Sequence, residues 1–125
     1  MISFNQKIQK FVLDASSKAL ATTGVNGLNV VPVSTIQIKD GKIWLFDYFM
    51  EKTAQNIKCN NNNNKVSLVC WSGLQGFQLK GVASYFDSGA DFENAKGYVK
   101  QIHPDRKLKG LVILDVIEVF EVSIK

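Results

Sequence analysis

This sequence is poor in the residues that announce metal sites, disulfide frameworks and acid–base catalysis. Its 125 residues hold one histidine and two cysteines. Without a second histidine, and with Cys59 and Cys70 far apart and unaccompanied, there is no zinc constellation. Two cysteines make no disulfide framework, so reduced thiols and a cytoplasmic protein are expected. His103 stands just before Pro104 at an expected helix end, where it favours the helix dipole and is not expected to act as a base. No apolar run approaches membrane-spanning length; the longest candidate is Leu111–Leu114. Met1–Lys10 is polar and no apolar segment follows it, so no secretory leader is expected. The net charge of +4 is spread over scattered lysines. There is no dense basic tract, so neither nucleic acid nor a membrane is an expected partner. There is also no P-loop, and no GxGxxG opening a helix.

What is present is one domain's worth of chain, expected over residues 1–125, with 46% hydrophobic residues and so enough for a core. Ser3 and Gln6 resemble a capping box. Ile8, Phe11, Val12 and Ala15 follow at helical spacing, predicting a helix to about Ser17. Lys18–Thr23 reads as a strand ended by Gly24-Val25-Asn26-Gly27. Leu28–Lys39 is a long extended stretch in which Pro32 marks a bulge or an edge. Asp40-Gly41 is a hairpin turn, and Lys42–Asp47 the returning strand. A helix is expected over Lys52–Lys58, then an exposed loop at Asn60–Asn64. Strands follow at Lys65–Trp71 and Phe77–Asp87, the second carrying Gly81, a mark of a bulge or a close backbone approach. Ser88 or Asp91 is placed to cap a second helix, with Phe92, Ala95, Val99 and Ile102 as its stripe. Leu111–Ile124 ends the chain as a long strand or a bent pair. Leu111–Leu114 shows no alternation, so both its faces are expected to be buried, one on the core and the other on a helix or a second subunit. The fold class is mainly β: an antiparallel barrel with flanking helices.

With classical catalytic groups absent, chemistry carried by a bound cofactor is the remaining class. Three segments are candidates to hold one. Asn29–Thr35, with Val31, Pro32, Val33, Ser34 and Thr35, offers backbone and hydroxyls to a ring edge. Phe46, Asp47, Tyr48 and Phe49 offer apolar walls and a carboxylate. Lys52 and Thr53, with Asn56, open a helix, whose free N–H groups and dipole suit a phosphate. Singly, each has a plainer reading: core valines, a helix cap, a surface lysine. Their order and spacing together favour a ligand with a phosphate at one end and a flat apolar body at the other.

These pieces resemble the pyridoxamine 5′-phosphate oxidase-like split-barrel flavoproteins, especially their small FMN-binding members. The matching runs are Ala19–Thr23, Asn29–Ser34, Trp44–Phe49, Lys52–Asn56, Gly76–Gly81 and Gly89–Glu93, in family order over nearly the whole chain. The resemblance implies a six-stranded split barrel, a homodimer and FMN at the subunit interface. It places the phosphate at Lys52-Thr53 and the flavin ring and ribityl chain along Pro32–Thr35. It adds Phe46-Asp47 to the lining and puts Gln78 in reach of the partner's flavin. Lys52 and Thr53 replace the arginine and lysine of the vitamin B6 oxidase. No counterpart is found of the C-terminal segment that completes the pyridoxamine phosphate site, so that oxidase activity itself is not expected. The implied function is a flavin-dependent oxidoreductase of unknown substrate, with a flavin carrier or electron-transfer protein as the alternative and a deazaflavin left open as the bound group.

Overall fold

Alternation of apolar and polar residues along the strands sets the architecture, and the computed structural model describes it over residues 2–124. The described residues form three helices: α1 (Gln6–Asp14), α2 (Glu51–Lys58) and α3 (Ala90–Ile102). The strands are β1 (Ser17–Thr22), β2 (Asn29–Pro32), β3 (Ile36–Lys39), β4 (Lys42–Asp47), β5 (Asn64–Ser72), β6 (Gln75–Phe86) and β7 (Gly110–Glu121). They form one antiparallel sheet in the order β2-β1-β5-β6-β7-β4-β3. Among the described residues no helix is long and apolar enough to cross a membrane.

The sheet's two outermost strands, β2 and β3, are consecutive in sequence, and this closes the barrel. The link Val33–Thr35 keeps pairing on both sides as it crosses. Val33 N–H donates to the Lys18 carbonyl (3.0 Å), and Phe46 N–H to the Thr35 carbonyl (3.3 Å). The expected six strands become seven because Leu28–Lys39 is broken at this seam. Its first half pairs with β1 and its second with β4, and one straight strand cannot lie beside both.

The inward residues alternate as a half-buried sheet requires. Leu20, Val66, Leu68, Cys70, Leu79, Ala83, Leu114 and Ile43 are buried in one cluster. Ile8 and Val12 of α1, and Ala54 and Ile57 of α2, join it. The Gly81 expectation holds. The register shifts at Lys80/Gly81, leaving Ile117 as the extra residue on β7, and a Cβ on Gly81 would lie 2.0 Å from the Asp115 carbonyl oxygen.

The second burial of Leu111–Leu114 has a definite cause. Val112 and Leu114 face the barrel core, while Leu111 and Ile113 face α3. There they meet Phe92, Ala95 and Val99 together with Trp44 and Phe46 of β4. The face left open by the sequence is thus covered by a helix of the same chain, so this strand gives no reason for a second subunit.

Three helix starts differ from expectation. Asn5, not Ser3, caps α1, its side chain accepting from Ile8 N–H (3.0 Å). Helix α3 starts after Gly89, without a side-chain cap from Ser88 or Asp91. Helix α2 begins one residue early, at Glu51, and its cap position is Met50, which has no capping side chain.

Candidate functional site

The start of α2 is organised by Asp47. Its carboxylate is fully buried and accepts from Phe49 N–H (2.8 Å), from Met50 N–H, and from the Tyr85 hydroxyl (2.5 Å). Its own carbonyl accepts from Lys109 N–H (2.9 Å). Burial, reinforced by the hydrogen bond to Asp47, pushes the Tyr85 phenol above its ordinary value. Tyr85 fits only because Gly110 lies opposite: a Cβ there would be 2.0 Å from the tyrosine oxygen. Asp47 therefore fixes where the chain turns from β4 into α2, and its oxygens are engaged in doing so. The first-turn N–H groups of Glu51, Lys52 and Thr53 donate to no side chain among the described residues, and the Lys52 side chain is exposed.

Asn56 is also turned inward. Its Oδ1 accepts from Asn26 N–H (2.8 Å), and its Nδ2 donates to Gly27 O (3.1 Å) and Thr22 Oγ1 (3.1 Å). The β1–β2 turn is thereby clamped to α2. Gly24 permits the contact, since a Cβ there would lie 2.9 Å from the Asn56 backbone. Asn64 braces the same clamp by donating to the carbonyls of Thr23 (2.9 Å) and Asn56 (3.2 Å). The asparagine run is thus not wholly a solvated loop. Asn62 and Asn64 work inside the structure, and Asn62 pairs with the Tyr85 backbone through both its amide atoms.

The clamp holds the β2 segment against the helix start. Asn29 Nδ2 donates to Thr53 Oγ1 (3.0 Å), and Thr53 is fully buried. At the other end of the seam, the Tyr48 hydroxyl bonds Thr35 Oγ1 (3.4 Å). The seam is consequently tied at one end to the first turn of α2 and at the other to the β4–α2 loop. Pro32 and Ser34 are exposed along it, while Val33 points into the core and Val31 is half-buried against it. Phe46 is buried against α3, in contact range of Tyr98 (5.5 Å between ring centroids). It is therefore part of the floor rather than an open wall. Tyr48 is half-buried and Phe49 exposed.

Beside the seam, on the outer sheet face, lies a groove of about 500 Å³ lined by residues 16–19, 30–33 and Trp71. Trp71 was not singled out by its sequence context. Only the pairing of Ser17 with Trp71, next to that of Ala19 with Pro32, brings its ring there. Gln78 lies on the same outer face. Its row runs Ala19, Val69, Gln78, Phe120 across four strands, and its amide donates to Ser67 Oγ (3.0 Å).

The predicted residues thus separate into two sets. Val31, Pro32, Val33, Ser34, Thr35, Tyr48 and Lys52 are gathered along the seam and the helix start. Asp47, Thr53, Asn56 and Phe46 lie beneath, holding that arrangement, and Gln78 stands apart on the sheet face.

Residues 4–123 match the family model described as pyridoxamine 5′-phosphate oxidase. An uncharacterized protein of Methanocaldococcus jannaschii is 32% identical over 109 residues, covering 83% of this chain and 71% of that protein. Among solved structures, HupZ of Group A Streptococcus superposes with a TM-score of 0.80 at 21% identity, covering 98% of this chain and 95% of that one. An FMN-binding protein of Syntrophomonas wolfei subsp. wolfei gives 0.71 at 15% identity, covering 96% and 89%. At these identities the two structures attest the split-barrel fold. The match along nearly the whole chain carries more: the protein belongs to the pyridoxamine 5′-phosphate oxidase-like family.

Proposed function

We propose that this protein binds FMN in the seam between β2 and β3 and works as a flavin-dependent oxidoreductase. The observation that carries the reading is the convergence of the seam with the start of α2. The Asn29–Thr53 contact (3.0 Å) and the Thr35–Tyr48 contact (3.4 Å) hold the two segments side by side. A phosphate needs N–H groups without acceptors and a cation, and Glu51, Lys52 and Thr53 offer both. A flat ring needs apolar walls, and Pro32 and Trp71 provide them. The residues present therefore fit FMN, with a simpler phosphate seat than the sequence implied, because the Thr53 hydroxyl and the Asn56 amide are already engaged.

Bound FMN supplies hydride- and electron-accepting chemistry that no side chain of this protein has. The protein's part is to hold the phosphate at Lys52 and the ring against the seam, and to set the ring's surroundings through the backbone and hydroxyl of Ser34. Asp47 acts one step behind by fixing the helix start. A homodimer completes the reading. Trp71 (39% exposed) and Val30 (66%) leave the outer sheet face apolar and open at the groove. A patch of this kind marks an interaction surface, and a second copy would bring its Gln78 face toward the bound flavin.

The test is FMN titration of wild-type and Lys52→Ala protein, followed by quenching of flavin fluorescence, with sedimentation velocity on the same samples. Loss of the charge-assisted phosphate contact is expected to weaken binding roughly tenfold or more. Equal affinity in the two proteins would remove Lys52 from the phosphate seat.

A further inference from the structure

We infer that Arg106 recognises an anionic group, a phosphate or carboxylate, on a second reactant that meets the flavin. The inference rests on the FMN reading and extends it to the class of molecule the flavin exchanges electrons with. Arg106 is the one arginine among 15 Lys and Arg residues. It lies in the strap between α3 and β7, and the strap is well fastened. Leu108 is buried among the α3 and β4 side chains. Arg106 N–H donates to His103 O (3.0 Å) and Lys109 N–H to Asp47 O (2.9 Å). Lys109 Nζ reaches Met50 O (3.3 Å). The strap therefore lies across the β4–α2 loop, the same loop that delivers Lys52.

Arg106 has a defined place on that strap. Its guanidinium carbon lies 5.2 Å from the centre of the Tyr48 ring, and the Tyr48 hydroxyl bonds Thr35 at the seam. Among the described residues Arg106 makes no ion pair; those found are Lys10–Asp14 and Lys58–Asp87. A guanidinium held over an aromatic ring by cation–π attraction keeps its planar fork of N–H donors, suited to a carboxylate or phosphate. A lysine in its place would offer only a point charge. Lys52, in the first turn of α2, serves the cofactor phosphate, and the nearby Lys109 ammonium rests on a backbone carbonyl. Arg106 is left as the oriented cation for a different anion, held over the tyrosine that borders the seam.

Because the chain has one arginine, ¹⁵N-arginine labelling gives one Nε–H signal, assigned without further work. FMN-loaded protein titrated with pyrophosphate is expected to show a saturable shift of that signal. In Arg106→Ala, pyrophosphate binding followed by calorimetry is expected to fall roughly tenfold or more, with FMN affinity unchanged. Arg106→Lys should restore only part of it. No Nε–H shift, or an Arg106→Ala variant that loses FMN affinity as well, would overturn the assignment. Failure of the FMN reading shows separately, as absence of flavin binding. In that case the same titration of cofactor-free Lys52→Ala protein still decides whether Arg106 is an anion site: a saturable shift supports it and a flat titration rejects it.

Discussion

Asn56→Ala separates two roles for a residue that the sequence offered as a phosphate neighbour. In the structure its amide is fully buried and makes three hydrogen bonds, to Asn26 N–H, Gly27 O and Thr22 Oγ1. Each such bond contributes about 1 kcal/mol net, and partners left unsatisfied raise the loss. Thr22 is itself buried, so its hydroxyl would be stranded. The turn at Asn26 and Gly27 is exposed and can turn to water. The sum is about 2–4 kcal/mol, a large share of the 5–15 kcal/mol that a typical domain possesses. With a urea m-value of about 1–3 kcal/mol/M, the midpoint should drop by about 1 M or more. Equilibrium urea unfolding of cofactor-free protein, followed by tryptophan fluorescence, reads this directly. Asn56→Asp is the companion variant: it keeps the acceptor for Asn26 and loses both donated bonds, so it too should be destabilised. A cofactor-free Asn56→Ala protein within about 1 kcal/mol of wild type would refute the clamp, and a selective loss of FMN affinity would return Asn56 to the phosphate seat.

Three further outcomes follow from the buried network and the core. Gly110→Ala places a Cβ 2.0 Å from the Tyr85 oxygen and must displace the ring that anchors Asp47; a loss of about 2 kcal/mol or more is expected in the same assay, and wild-type stability would contradict the Tyr85–Asp47 anchor. Burial pushes the Cys70 thiol up to about 12 from 9.0, against a smaller downward pull from Lys18, while Cys59 is exposed. At pH 8, one thiol should react promptly with a disulfide reagent in the native protein and two after denaturation; two prompt thiols in native protein would contradict the burial. Because the folded-state thiol value is raised, its contribution to stability is complete below pH 9.0 and declines as pH rises toward 12.

The sequence carried the local elements well, since strands and helices follow from alternation, helical spacing and turn residues. Gly81 announced a bulge, and Asp40-Gly41 a hairpin, for reasons contained within a few residues. What it could not carry were partners distant in the chain. Asp47 reads as a wall of a binding site until Tyr85, 38 residues later, is seen donating to it. Asn56 reads as part of a phosphate seat until the turn 30 residues earlier folds onto it. Leu111–Leu114 declared two buried faces, but only the placement of α3 says that the second belongs to the same chain. The seam, the helix start and Lys52 were legible because they are contiguous motifs. Trp71 and Arg106 were not, because register and a loop crossing, not local pattern, bring them to the site.

The central claim is that this seam holds FMN, and the most direct measurement is the visible absorption spectrum of freshly purified protein, with mass identification of whatever denaturation releases. The account predicts flavin bands and a released mass of FMN, or their appearance after added FMN is taken up in equimolar amount. A colourless protein that takes up no FMN would contradict it.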